Sequence, residues 1–585
     1  MDGFFNRLLM IDSTRRSHQV EDLDDALLRT YLGGKGLATH YLLEKISQGV
    51  DPLGADNLLI FAIGPLTGTS IWGSCRYGVF TKSPLTGYYA ESYSGGTAAE
   101  YMAGTGFDMI VIGGAAEEPV WIEIGEDDVI FHAAEHLWGM DTYNTEDRVK
   151  AQLTHGRAGV VCIGPAGENC VRFAVIENDY WRSAGRTGVG AVMGSKKIKA
   201  IAFRGSRKKR VAQPHQLQSY TRDMARKLKN DPMVLAYKTM GTPMMVDITS
   251  AVGAFPTRYW QKGRADHQKQ INAQALHERL QVTPHACRRC FMACGRLSTV
   301  TSGRHQGLKI EGPEYETIGV FGGLCEVSSI EEIAYLNDVC DRLGLDTITA
   351  GNLTAFTIEA SRQGKIQYRI DYGDADRIAD LLTDIAYRRD LGALLALGIR
   401  ETATAWSMED QAVHVKGLEP AAFDPRVLKG MALAYGTSPR GACHLRATFY
   451  KPELAGMVDP AAVAGKAGMF AEWEDRLALF DALILCRFYR DLYQWEELSD
   501  LIHMACGIKF ETGQLRSIAS NIVDMTRKFN LAQGLEPAED RLPQRFFREP
   551  LPESGKVLTE QEMDQLLQEY YKARGWDERG VPPAN

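Results

Sequence analysis

No run of 18 apolar residues occurs anywhere along the 585 positions, so the sequence offers no candidate membrane-spanning helix. Its start, Met1-Asp2-Gly3-Phe4-Phe5-Asn6-Arg7, lacks the apolar stretch and small-residue cleavage site of a secretory signal. Basic charge is not in excess. Lys and Arg number 66 against 74 Asp and Glu, and the net charge of -8 removes the electrostatic case for nucleic acid or an acidic membrane as main partner. Cysteine is sparse: eleven, unevenly spaced, do not form the framework of a small secreted domain and point to thiols and metal ligands of a cytoplasmic protein. No Walker lysine-serine/threonine pattern and no strand-to-helix dinucleotide fingerprint is present, so no nucleotide, flavin or nicotinamide is indicated within the chain. Low-complexity linkers are missing too, which leaves domain boundaries soft.

With 45% hydrophobic and 24% charged residues, the chain can bury large cores and holds roughly three to four domains' worth of structure. Short β-branched or apolar runs at 58–63, 109–112, 120–124, 160–163, 171–176 and 200–204, each bounded by Gly, Pro, Asn or Asp, predict strands. Residues 22–47 carry a helical pattern broken by Gly33-Gly34-Lys35-Gly36. Beyond 209, apolar residues at three- and four-residue intervals predict helices over 213–229, 330–343, 374–389 and 473–489, with another over 561–571. The expected class is α+β: a β-rich domain over 1–208, then two mainly α-helical domains over 209–410 and 411–585.

The densest chemistry is Cys287-Arg288-Arg289-Cys290-Phe291-Met292-Ala293-Cys294, a Cys-x2-Cys-x3-Cys array. Three thiolates on one short loop suit an iron–sulfur cluster or, with His285 or a remote Cys or His completing a tetrahedron, zinc. Spacing alone does not separate the two. Four glycine-bearing segments, Gly33 to Gly36, Gly64-Pro65-Leu66-Thr67-Gly68-Thr69, Ser92-Tyr93-Ser94-Gly95-Gly96, and Ala184 to Gly190 leading into Gly194-Ser195-Lys196-Lys197, could bring backbone amides close to phosphates, with Arg76 and Arg182 as forks. Each of these alone equally fits a turn. Finally, Asp341-Arg342-Leu343-Gly344-Leu345-Asp346 is echoed by Asp481-Ala482-Leu483-Ile484-Leu485-Cys486, each after an amphipathic helix. A carboxylate at such a helix end can accept hydrogen bonds from a pterin-like heterocycle, and Cys486 is a ready fourth ligand.

Taken in order, Gly33-Gly34-Lys35-Gly36-Leu37, the Gly-Pro-Leu-Thr-Gly-Thr loop, Glu311-Gly312-Pro313-Glu314-Tyr315-Glu316, the cysteine array, the two Asp-led loops, Arg440-Gly441-Ala442-Cys443-His444 and the tail Tyr570 to Trp576 resemble the tungsten-containing aldehyde ferredoxin oxidoreductase family. The similarity runs nearly end to end. It implies a β-rich base for a bis-pterin cofactor carrying tungsten or molybdenum, a neighbouring [4Fe-4S] cluster, and magnesium bridging the pterin phosphates. By motif, Cys287, Cys290, Cys294 and Cys486 would hold the cluster. Asp341, Gly344, Leu345 and Asp346 would serve one pterin, and Asp481 with Leu485 the other. Arg76 and Arg182, with the loops at Gly95 and Gly96 and at Gly185, would meet the phosphates, and the carbonyls of Tyr93 and Ala184 the magnesium.

The family's chemistry is aldehyde plus water to carboxylate, or the reverse, with electrons passing to ferredoxin or an iron–sulfur subunit. A separate flavin subunit and a homodimer or hetero-oligomer are further expectations. Such a reaction needs a base to activate water and a donor to polarise the carbonyl, and the motif positions imply Glu316 and His444, with Glu314 as the fallback acid. Two departures stand out: Ile484 occupies a place where the family usually has glycine, and Tyr93 one where it has asparagine. No equivalent of the subunit-bridging iron site of some archaeal members is evident, and none is expected. The rival readings are a tungsten subunit of a ring-reducing acyl-CoA reductase and a zinc-stabilised binding protein without catalysis.

Overall fold

Alternation decides how the N-terminal third is layered, because successive side chains of a strand point to opposite faces. Leu9, Ile11, Leu59, Phe61, Ile110 and Ile112 enter one core together with Ile122, Val161, Ile201 and Phe203 of a second sheet. Their neighbours Leu8, Ile60, Ala62, Met109 and Val111 face the other way, into the large core shared with the helices. The inner strands of the first sheet therefore have no wet face, which explains why Leu59–Ala62 and Met109–Gly113 read as apolar runs instead of alternating ones, whereas the edge strand Ser17–Asp22 is exposed throughout. This is a computed structural model, and it describes residues 1–154 and 156–584.

The first sheet runs in spatial order Ser17–Asp22, Arg7–Asp12, Met109–Gly113, Leu59–Ala62, Tyr77–Lys82 and Tyr89–Ser94, antiparallel except for Arg7–Asp12 beside Met109–Gly113. The second runs Arg182–Ala184, Ile176–Asn178, Gly159–Cys162, Ile198–Phe203, Val120–Ile124 and Val129–Ala133, with Ile198–Phe203 and Val120–Ile124 parallel. After residue 205 helices dominate, so the class is α+β. The helix Ile330–Leu343 has the predicted bounds: Ser329 caps its first turn and Gly344, at φ 77°, ends it in the left-handed conformation.

Three expectations are corrected. The predicted strand over 171–176 is a strand only from Ile176; Val171, Phe173, Ala174 and Val175 are buried turn residues, with Ala174 bridging to Leu345. The helix expected over 473–489 spans Lys466–Ala482, and the apolar Leu483-Ile484-Leu485 that prolonged its pattern forms a turn with Ile484 at φ 53°. A third sheet, Leu280–His285, Gly295–Val300 and Lys309–Glu311, lies within the half read as helical.

Two of the glycines singled out in the sequence, Gly34 and Gly64, serve packing against this turn. A Cβ on Gly34 would stand 2.5 Å from the Asp481 carbonyl oxygen, and one on Gly64 would stand 2.1 Å from that of Leu483. What approaches these glycines is protein backbone, not a phosphate. Gly64→Ala should therefore lower the thermal unfolding midpoint, by the equivalent of about 1–3 kcal/mol for an overpacked contact, and loosen the Asp481 turn. Gly468→Ala is the control: exposed in a helix with nothing within 4 Å, it should be neutral or stabilising. Equal unfolding midpoints for the two variants would contradict the contact.

Candidate active site

The cysteine array is the connection of a β-hairpin. Strands Leu280–His285 and Gly295–Val300 pair down to His285 opposite Gly295, so residues 286–294 must loop out, with Arg289 and Ala293 at φ 53° and 45° making the reversals. Buried Arg296 anchors this loop, donating to the carbonyl oxygens of Ala293 at 2.6 Å, Lys238 at 2.7 Å and Thr239 at 2.8 Å. Cys486 arrives from the far side, its amide donating to Gly73 O at 2.9 Å. Cys287, Cys290, Cys294 and Cys486 thus line one cavity of about 200 Å³, together with Cys75, Arg76, Gly95 and Arg182. A Cβ on Gly95 would stand 2.8 Å from Cys287 Sγ, so this wall tolerates no side chain. Cys75, a fifth thiol, donates instead to Gly96 O at 2.9 Å.

The donor set suits a polynuclear cluster better than a single ion. Among the described residues no three His, Cys, Asp or Glu side chains stand close enough for one metal ion. His285, the sequence's candidate zinc ligand, does not line the cavity; its Nδ1 lies 3.0 Å from Glu311 Oε2 without hydrogen-bond alignment. Four thiols spread around a space are what a cluster of several irons requires.

A second cavity of about 380 Å³ adjoins the first, sharing Arg76, Tyr93, Ser183, Glu314, Cys486 and Phe488 with it. Six arginines line it, Arg76, Arg186, Arg440, Arg446, Arg487 and Arg490, against Glu314, Glu316 and Asp481. Asp481 Oδ2 accepts from Arg446 and Arg487, each at 2.6 Å. The Nε atoms of Arg446, Arg487 and Arg490 are buried with no partner among the described residues. Buried donors left unpaired in a cationic cavity are a place for anionic oxygens or sulfurs.

Glu316 and His444 meet in this cavity. His444 Nε2 lies 3.4 Å from Glu316 Oε1, and the Ala422 amide donates to Glu316 Oε2 at 2.8 Å. Burial raises the Glu316 carboxyl to about 8 despite the Ala422 amide and Arg186, which pull it down. Burial, reinforced by Arg186, Arg440 and Arg446, drives His444 well below the usual imidazole value. Glu314, between the two cavities, accepts instead from Thr242 Oγ1.

The other sequence candidates fall in two groups. Leu485 and Gly185 line the larger cavity, and Arg182, paired with Glu311, lines the thiol cavity. Arg76 Nη2 donates to Tyr93 O at 3.1 Å, while the Tyr93 hydroxyl turns to Glu91 at 2.6 Å. Gly96, Ala184, Asp341, Gly344, Leu345 and Asp346 line neither cavity. Gly96 packs on Asp179, Ala184 pairs with Ile176, and Asp341 accepts from Asn337 at 2.7 Å. Asp346 reaches the site through Arg186, whose Nε donates to it at 2.9 Å. Lys196, in the glycine-bearing segment over 194–197, donates to three carbonyls, of Ala55, Asn57 and Gly114, and is structural. At Ile484 the left-handed backbone explains why glycine is favoured there; a β-branched residue at φ 53° carries about 1–3 kcal/mol of strain.

Sequence reasoning missed Arg186, Arg487, Arg490, Lys35 and Glu91. Lys35 and Arg446 both pair with Glu91, at 3.0 and 2.7 Å. Arg186 and Lys35 sat inside segments read for their glycines, and the usable signal was a cation embedded among small residues.

Comparison with known proteins agrees along the chain. Residues 8–205 match the family model of the aldehyde ferredoxin oxidoreductase N-terminal domain, and residues 219–585 match that of its domains 2 and 3. Tungsten-containing aldehyde ferredoxin oxidoreductases of Thermococcus kodakarensis and Pyrococcus furiosus are each 36% identical over 100% of this chain and 98% of their own. The active-site complex BamBC of benzoyl coenzyme A reductase, solved with 1,5-dienoyl-CoA, has the same fold, with a TM-score of 0.85 at 24% identity over 99% of this chain and 96% of that one. The chain belongs to the aldehyde ferredoxin oxidoreductase family.

Proposed function

We propose that the protein oxidises aldehydes with water to carboxylates, and can run in reverse with a low-potential donor, at a tungsten bis-pterin centre in the larger cavity. The observation that carries this is the junction of that arginine-lined, partly unsatisfied cavity with the four-thiol cavity through Cys486 and Arg76. When bound, the metal centre would accept the two electrons of the oxidation, and a [4Fe-4S] cluster on Cys287, Cys290, Cys294 and Cys486 would relay them singly. Arg76, Arg186, Arg446 and Arg487 fit the cofactor's anionic groups, whereas of the two carbonyls expected to meet magnesium Tyr93 O already accepts from Arg76 and Ala184 lies outside both cavities.

In this reading the chain's own acid and imidazole move the protons. Glu316 Oε1 stands 3.4 Å from His444 Nε2, and neutral His444 in this reading keeps its ring proton on Nδ1, a buried atom with no partner among the described residues. Nδ1–H is then the donor to the substrate carbonyl oxygen, and Glu316, once ionised, is the base that removes a proton from water. Tyr237, Tyr315, Phe423, Tyr450 and Phe488 give the same cavity an apolar side for the substrate's carbon skeleton. Exposed Arg288 and Arg289, between Cys287 and Cys290 and sharing Glu100 as their ion-pair partner, suit an acidic one-electron acceptor such as a ferredoxin or iron–sulfur subunit. The division into 1–208, 209–410 and 411–585 is part of the same proposal.

The ring-reducing alternative shares the fold, but the 36% identical relatives are named for aldehydes. Metal analysis of the purified protein together with aldehyde-dependent dye reduction tests the proposal. About four irons and one tungsten or molybdenum per chain with turnover are expected; one zinc, no pterin and no turnover would end it.

A further inference from the structure

A buried guanidinium needs a counter-ion, and Arg440 has one candidate. Arg440 is 2% exposed, and among the described residues it forms no ion pair with a carboxylate. Its Nε and Nη2 donate to Cys443 Sγ at 3.1 and 2.9 Å, and its Nη1 donates to the backbone carbonyl of Glu91 at 2.6 Å. The carboxylate of Glu91 is already engaged by Lys35 and Arg446. Onto the same sulfur, itself fully buried, the Leu445 amide donates at 3.3 Å.

Three N–H groups, two of them from a cation, therefore converge on one sulfur that donates to nothing among the described residues. A neutral thiol is a weak acceptor and would leave the buried cation uncompensated; a thiolate satisfies all three donors and the charge. The flanking chain is held as well, since the Ala442 carbonyl accepts from Arg186 at 3.2 Å. We propose that Cys443 is held as a thiolate whose pairing with Arg440 positions the turn carrying His444 and Arg446 into the larger cavity. It acts through its neighbours and touches no substrate, and its positioning role rests on reading that cavity as the catalytic one.

The charged and titratable groups around the sulfur are Arg440, Arg446, Arg186, Glu316, His444 and Tyr435. Burial pushes the thiol up, but Arg440 and Arg446 outweigh it and bring the group down to about 7.

The test uses the holoenzyme and its Cys443→Ser and Cys443→Asp variants. In mildly alkaline buffer the infrared difference between wild type and Cys443→Ser should contain no S–H stretch. Cys443→Ser should keep its metals yet lose roughly 10- to 100-fold in aldehyde kcat with KM little changed, the cost of a slightly misplaced catalytic group; Cys443→Asp, which restores the anion, should recover much of it. An S–H band in that buffer, or wild-type kcat in Cys443→Ser, overturns the proposal. Should Cys443→Asp fail to fold, the infrared result and the Cys443→Ser kinetics decide. A wild type that oxidises no aldehyde would sink the proposed function, while the infrared result still judges the thiolate.

Discussion

Cys486→Ser should lose iron and stop delivering electrons from aldehyde to ferredoxin or a viologen dye, the largest single-residue effect expected outside the catalytic pair. A serine hydroxyl is a hard, weakly acidic ligand where a soft thiolate is wanted. Cys486 is also the one thiol of the proposed set that lies outside the hairpin loop, so losing it removes the far wall of the cavity. The structure adds a sharper control than sequence could supply. Cys75 lines the same cavity but gives its proton to Gly96 O, so Cys75→Ser should keep the iron. Cys162 and Cys506 are packed elsewhere, and their serine variants should keep it too. Iron retained in Cys486→Ser and lost in Cys75→Ser would exchange the two in the ligand set.

Periodicity carried the first layer of this reading. Met109–Gly113, Val120–Ile124 and Ile330–Leu343 were legible because each is a pure repeat with a clear stop. It failed where apolar residues continue a repeat that the backbone abandons. Leu483-Ile484-Leu485 prolongs the preceding helix in sequence, yet Asp481 and Cys486 could not serve two neighbouring cavities from one straight helix. The hairpin around the thiols was hidden for a different reason: Thr283-Pro284-His285 interrupts its first strand, and the edge position that excuses the proline is a fact of tertiary structure. Site residues quoted from motifs were found near the cavities, but what surrounds them was not visible. Arg186 and Arg446 are each held by acids from distant parts of the chain, Asp346 and Asp481 with Glu91. Such partners follow from burial, which composition does not encode residue by residue.

The same burial sets the last expectation, at Glu316 and His444. With Glu316 raised to about 8 and His444 held well below its usual value, at neutral pH the imidazole is neutral and the carboxyl holds its proton. Water activation needs the carboxylate, whose fraction grows as pH rises through about 8. The rate of cluster reduction by aldehyde in a single turnover should therefore climb through that region and level above it. Glu316→Gln should flatten this limb and lower the rate by roughly 100-fold or more, the scale of one positioned acid or base. His444→Asn should retain tungsten and iron, because neither is expected to be its ligand, and should lose a similar factor. Since the two side chains stand 3.4 Å apart and act on the same reaction as a unit, the double variant should lose much less than the product of the two single losses. A wild-type rate of cluster reduction in His444→Asn would make that histidine structural, and an unchanged pH limb in Glu316→Gln would move the base elsewhere, with Glu314 the next candidate because it lines both cavities.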